Sequence, residues 1–179
     1  MYIRITKYDP TYRDERGVFV GNDWTALSDV SVANGPSVSE YLAIEENYCA
    51  VVLSIFESLS LSEATISGIE FYDDDMDDYA SCDWYETYLD ALKEFRSLNI
   101  CKKTRVDIPM VKILLRMMLR DVVWMKVDFD DGAYLRVGHD FYVNFGSPRK
   151  FDWASVDGMF VEEMSFSYIE DEVSGHLFH

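Results

Sequence analysis

The chain has 179 residues, 49% hydrophobic and 15% aromatic, with 33 acidic and 16 basic side chains and a net charge of −17. This apolar content excludes a disordered acidic chain and suits a single domain over residues 1–179. The charge argues against direct nucleic-acid binding, because phosphate contacts need Lys and Arg. We expect no membrane span, because no stretch approaches the roughly 20 apolar residues required, and the first residues lack the apolar core of a signal peptide.

The first half of the chain predicts a strand, a long loop, a helix and a second strand. Residues 2–8 are rich in β-branched and aromatic types and predict a strand, which Asp9-Pro10 ends before a polar loop over residues 11–34. Ser37 and Glu40 have capping-box spacing, so we expect a helix from there to about residue 60. Residues 64–71 predict a short strand that leads into an acidic loop.

The second half predicts two helices and then antiparallel strands. One helix is expected over residues 83–98, and another begins at Asp107, with Pro109 in its first turn, and runs to about residue 120. Strands are expected at 122–129 and 134–137 around the Asp-Gly turn, and at 140–145 and 159–165. The tail is predicted to fray from about residue 170. The predicted fold class is α+β, with about three helices packed on a mostly antiparallel sheet of about five strands.

Negative charge is concentrated in the middle of the chain, where residues 31–100 hold 15 acidic and 2 basic side chains. Like charges held this close oppose the compact state, and each like-charge i,i+4 pair on a helix costs about 0.2–0.5 kcal/mol. A docking surface for a basic partner would explain them, whereas a merely solvated loop is the plainer alternative. The candidate partner-binding residues are Asp73, Asp74, Asp75, Asp77, Asp78, Tyr79, Trp84, Glu86 and Asp90.

Neither a metal nor a cofactor is expected. An EF-hand loop that began at Asp73 would need Gly at its sixth position and Glu at its twelfth, where this chain has Asp78 and Trp84. Three scattered cysteines, Cys49, Cys82 and Cys101, give no metal-ligand spacing. They predict reduced thiols, mostly in the core, of a cytoplasmic protein.

Charged side chains on two of the predicted helices lie among apolar residues and are expected to need ion-pair or hydrogen-bond partners. Glu45 falls inside the apolar face of the first helix, where a buried carboxylate must be paired, so we expect a Tyr, Trp or Arg partner within the fold. Lys112, Arg116 and Arg120 repeat every four residues on an otherwise apolar helix. This stripe is either a wet face or an internal counter-surface that pairs with part of the acidic second helix.

The sequence contains no motif of a known catalytic site, so we expect no enzyme. It has no Gly-x-Ser-x-Gly elbow, no phosphate-binding glycine loop and no His-Glu-x-x-His. His139 is the only histidine outside the terminal tail and is expected to be an ordinary strand residue. A small hydrolase built around Glu45 or His139 remains an alternative, since catalytic groups can meet in space alone.

Both ends of the chain resemble a group of small bacterial proteins that open with a Tyr-Arg-Ile-Thr-Lys-Tyr type strand and an Asp/Glu-Trp-Thr-Ser turn. The matching segments here are Tyr2-Ile3-Arg4-Ile5-Thr6-Lys7-Tyr8, Asp23-Trp24-Thr25, Val137-Gly138-His139-Asp140-Phe141-Tyr142 and Gly158-Met159-Phe160-Val161-Glu162-Glu163. The middle is similar only loosely, around residues 40–42 and 115–124, and the Asp-rich run has no counterpart.

This group looks like the immunity proteins of polymorphic-toxin and contact-dependent growth inhibition systems. The resemblance implies a protein that binds and neutralises a cognate toxin domain, with the shared segments as scaffold. Combined with the acidic surface, it predicts a basic toxin as the partner, with a nuclease as the first candidate, whose phosphate-binding groove the carboxylates would occupy. An acidic DNA-mimic module for another cationic protein is the other interpretation.

Overall fold

The structure, a computed structural model, describes residues 1–15, 19–21, 23–30, 35–71, 80–138 and 141–164. In these residues three helices, α1 (Val38–Leu59), α2 (Tyr85–Ser97) and α3 (Ile108–Leu119), pack with one seven-stranded sheet. The strands are β1 (Tyr2–Thr6), β2 (Glu63–Phe71), β3 (Arg105–Asp107), β4 (Val123–Phe129), β5 (Tyr134–Val137), β6 (Val143–Gly146) and β7 (Phe160–Glu163). The predicted α+β class is confirmed, with seven strands rather than about five.

The strands follow the order β3-β2-β4-β5-β6-β1-β7, and every neighbouring pair is antiparallel. The β4–β5 hairpin turns where the Asp-Gly step predicts it, with Gly132 at φ 85°. The sequence does not predict β3, because three residues are too few to show alternation. The strand expected at 140–145 begins only at Val143, and Asp140 and Ser165 lie outside the described residues.

Local capping explains where the helices begin and end. The Ser37 hydroxyl accepts from the amide of Glu40 at 3.3 Å, and the Glu40 carboxylate accepts from the amide of Ser37 at 2.8 Å, which confirms the predicted capping box of α1. The Asp107 carboxylate accepts from the amide of Met110 at 2.9 Å and begins α3 as expected.

One apolar cluster joins the helices to the inner face of the sheet. Along β4 the residues alternate between buried and half-buried, so one face of the sheet meets the helices. The apolar face of α1 is buried against the sheet, with Tyr41, Tyr48 and Ile55 fully enclosed. Cysteine placement is partly different from the expectation: Cys49 is buried, Cys82 is half-buried and Cys101 is exposed, and all three thiols are free.

Candidate functional site

Helix α2 presents one apolar face to the core and one acidic face to solvent. Tyr88, Ala91 and Phe95 are buried at i, i+3 and i+7, whereas Glu86 and Asp90 are exposed one turn apart. Glu86 lies in the first turn, where a carboxylate also suits the helix dipole. Basic residues of α2 lie in its C-terminal half, so its N-terminal half carries a net negative charge.

The aromatic member of the predicted site on this helix belongs to the core instead. Trp84, at the N-cap of α2, is 1% exposed, and its ring packs edge-on against Tyr88 with the centroids 6.3 Å apart. The periodicity of the helix places Trp84 four residues before Tyr88, on the inner face. Its inclusion among the partner-binding residues is therefore corrected, since no indole surface is available to a docking protein.

The remaining predicted site residues, Asp73, Asp74, Asp75, Asp77, Asp78 and Tyr79, lie outside the described residues. The structure does show where the chain leaves β2 toward them. Phe71, the last residue of β2, is 58% exposed and contacts the ring of Phe95 at 5.5 Å between centroids. β2 therefore ends beside the C-terminal half of α2, where Lys93 and Arg96 also lie. The described chain resumes at residue 80, five residues before the acidic N-terminal half of the helix begins.

The Lys112, Arg116 and Arg120 stripe is an internal counter-surface, but its partner is α1 and not α2. Both nitrogens of the Arg120 fork donate to Glu45, at 2.6 and 2.7 Å. Lys112 donates to Glu46 at 2.6 Å, and Arg116 also pairs with Glu46. The hydrogen bond from Lys112, opposed by desolvation and reinforced by Arg116, holds the pKa of Glu46 below its usual range.

The prediction that Glu45 is buried and bonded within the fold is confirmed. Its side chain is 3% exposed and is held by the Arg120 pair, with Nε of Arg116 3.7 Å from its carboxylate. This arrangement argues against a hydrolase that uses Glu45, because the carboxylate faces two guanidinium groups rather than a cleft. His139, the other residue of that alternative, lies outside the described residues.

The two ends of the chain meet in space. β1 pairs with β7 so that Arg4 lies opposite Glu162, and Arg13 donates to Glu162 at 2.9 Å. Lys7 lies 3.8 Å from the ring centroid of Trp24 and 2.8 Å from Asp23, with 4% of its side chain exposed. Burial lowers the pKa of Lys7, although its pairing with Asp23 opposes this. These contacts join residues from both ends of the chain in one packed region.

Within the described residues, no group of His, Cys, Asp and Glu side chains is arranged to hold a metal ion. The same part of the chain contains no helix that is long and apolar enough to cross a membrane. No family model matches the chain, and comparisons with curated proteins and with solved structures also find no match.

Proposed function

We propose that this chain is a binding protein that docks onto a basic partner through the acidic half of α2 and the neighbouring acidic run. Together with the resemblance of the chain ends, this surface favours an immunity protein that neutralises a cognate toxin domain in the cytoplasm. A nuclease is the toxin class that an acidic face would block most directly, because its phosphate-binding groove is cationic.

The observation that carries the proposal is that the acidic side chains of α2 form few ion pairs in the described part of the chain. In the described part of the chain, Glu86 and Glu94 form no ion pair, and Asp90 meets only Lys93, at 3.4 Å with both side chains at least 68% exposed. An exposed pair of this kind contributes about 0–1 kcal/mol. The cations of α3, by contrast, are already paired with α1.

A surface that keeps uncompensated carboxylates suits fast recognition of a cationic protein. Negative potential steers an oppositely charged partner and raises its association rate, an effect that salt screens. Exposed Phe71, two residues before Asp73 in the chain, offers apolar area that such a docking partner could bury. This combination of charge with one exposed aromatic ring is typical of a binding surface.

Co-purification across a salt series tests the proposal. The chain is co-expressed with the product of the gene immediately upstream, and the complex is washed at rising salt concentration. We expect a complex that weakens as salt rises. A tight complex indifferent to salt would move the interface to apolar surface, and the absence of a complex at any salt concentration would overturn the immunity proposal.

A further inference from the structure

A pocket of about 270 Å³ opens at the end of the sheet where the acidic run begins. Its lining includes Met118 and Leu119 of α3, Val137 and Phe141 beside β5 and β6, and Thr25, and its surface is about as much polar as apolar. Among the described residues, Asp121 supplies the one carboxylate in the lining. Because Phe71 pairs with Val123, two residues after Asp121, the pocket and the start of the acidic run share this end of the sheet.

Asp121 occupies a position where a carboxylate opposes folding. Its φ of 55° lies in the left-handed region, which favours Gly or Asn after a helix. Its amide donates to the Met118 carbonyl at 3.2 Å, and the amide of Val122 donates to the Met117 carbonyl at 3.0 Å, as in a Schellman motif. A negative side chain here meets the negative end of the α3 dipole. The fold alone would be served better by a glycine.

The surroundings of the Asp121 carboxyl further destabilise its ionised form. The residue is open to solvent at the pocket mouth, but protein atoms displace water around the carboxyl and, with a smaller contribution from the charge of Asp29, raise its pKa to about 6. Asp29 is engaged elsewhere, since its carboxylate accepts from the amides of Thr25 and Ala26 at 2.7 and 3.1 Å. In the described residues Asp121 has no ion-pair partner.

The pocket walls are held in place by α1. The Tyr41 hydroxyl donates to the Leu119 carbonyl at 2.7 Å, and the Tyr48 hydroxyl donates to the Phe141 carbonyl at 2.6 Å. Both tyrosines are fully buried. A pocket with fixed walls loses little conformational entropy when it is filled, which favours binding.

We propose that this pocket receives a Lys or Arg side chain of the protein partner, with the charged head at Asp121 and the aliphatic stem against Met118 and Leu119. The inference rests on the proposed function for the identity of the partner. Lys and Arg are the side chains that combine an apolar stem with a cationic head. Such a head would relieve the repulsion between Asp121 and Asp29 and would face the carbonyl end of α3.

The first experiment needs no toxin. Arginine amide is titrated into the ¹⁵N-labelled full chain, and backbone amide shifts are followed by NMR. We expect saturable shifts at Thr25 and Gly138 and at least a tenfold weaker affinity in Asp121→Asn, since a charge-assisted hydrogen bond is lost. Asn is nearly isosteric and tolerates the left-handed backbone, so the variant should fold. Asp152→Asn, an exposed residue elsewhere, is the matched control and should bind as the wild type does.

Shifts that spread evenly over the acidic surface, or that persist in Asp121→Asn, would overturn the pocket proposal and leave the proposed function standing. The second experiment repeats the titration on the complex with the upstream gene product. We expect the bound partner to block the arginine amide shifts. A pocket that still takes arginine amide in the complex would contradict its assignment to a partner side chain, and failure to form the complex would contradict the proposed function itself.

Discussion

Glu45 and Arg120 form a bidentate ion pair that joins α1 to α3, with both carboxylate oxygens within 2.7 Å of the guanidinium nitrogens. The two side chains are 3% and 17% exposed, so the pair is largely removed from water. The next residue, Glu46, pairs with the same helix through Lys112 but is 50% exposed. Two consecutive glutamates therefore bind one helix in different solvent environments.

This contrast predicts very different effects of the same substitution. Glu45→Gln should lower the free energy of unfolding by about 3–5 kcal/mol, because it leaves the buried Arg120 without its counter-charge. Glu46→Gln, the control, should cost no more than about 1 kcal/mol, because water screens that pair. Urea unfolding of both variants measures the difference. Equal effects at the two positions would show that burial does not set the strength of these pairs.

Asp121→Asn should make the protein more stable at neutral pH. The folded state keeps the Asp121 proton up to a pKa of about 6, whereas an unfolded Asp releases it near 3.9. Between these values the folded state binds more protons, so the free energy of unfolding falls as pH rises through the window. Because an Asn side chain does not titrate, the free energy of unfolding of the variant does not fall for this reason as pH rises.

Thermal unfolding at pH 4, 5, 6 and 7 checks the prediction. The Tm of Asp121→Asn should exceed that of the wild type at pH 7, and the difference should vanish toward pH 4. A gap that is independent of pH would mean that the gain does not come from the ionised carboxylate.

Ser60→Gly should stabilise the end of α1. Ser60 has a φ of 54° in the left-handed region, and its amide donates to the Glu57 carbonyl in the terminal turn. Gly adopts this backbone without steric cost, whereas other residues lose about 1–2 kcal/mol there. We expect a net gain of about 0.5–1 kcal/mol, or roughly 1–4 °C in Tm.

Ser62→Gly is the matched control for that measurement. Ser62 is exposed and its φ is not positive, so Gly there adds only unfolded-state freedom and should lower the Tm. A Tm increase in both variants would contradict the conformational explanation.

Features that depend on local spacing could be predicted from the sequence. The capping residues Ser37 and Asp107 form the predicted hydrogen bonds, and the helical period places Glu45 on the inner face of α1. The sequence could not predict which helix the basic stripe around Arg116 contacts, because the stripe can meet either of two acidic helices. Only the crossing of α1 and α3 decides that it pairs with Glu45 and Glu46.

The pocket could not be predicted, because its lining comes from segments far apart in the chain. Thr25, Asp121 and Gly138 meet only through the sheet order, which periodicity does not reveal. A local signal for Asp121 did exist: an acidic residue at the carboxyl end of an apolar helix opposes the dipole. Aromatic residues beside acids are typical of interfaces, and this pattern points to the surface for Trp84, whereas its helical phase places it inside.

The most direct test of the central claim compares two charge reversals in the affinity for the upstream gene product. One variant carries Glu86→Lys and Asp90→Lys on α2. The control carries Glu57→Lys and Asp152→Lys, exposed residues near the end of α1, at the opposite end of β2 from Phe71. Both variants raise the net charge equally, so non-specific electrostatics affects them alike.

Calorimetric titration at physiological salt measures the affinity of each variant for the upstream gene product. The account predicts that the α2 variant weakens binding by about tenfold or more, the range expected when close charge pairs across an interface are lost, and that the control stays near the wild-type affinity. Equal weakening of both variants, or wild-type affinity in the α2 variant, would contradict the claim that this face of the protein binds the partner.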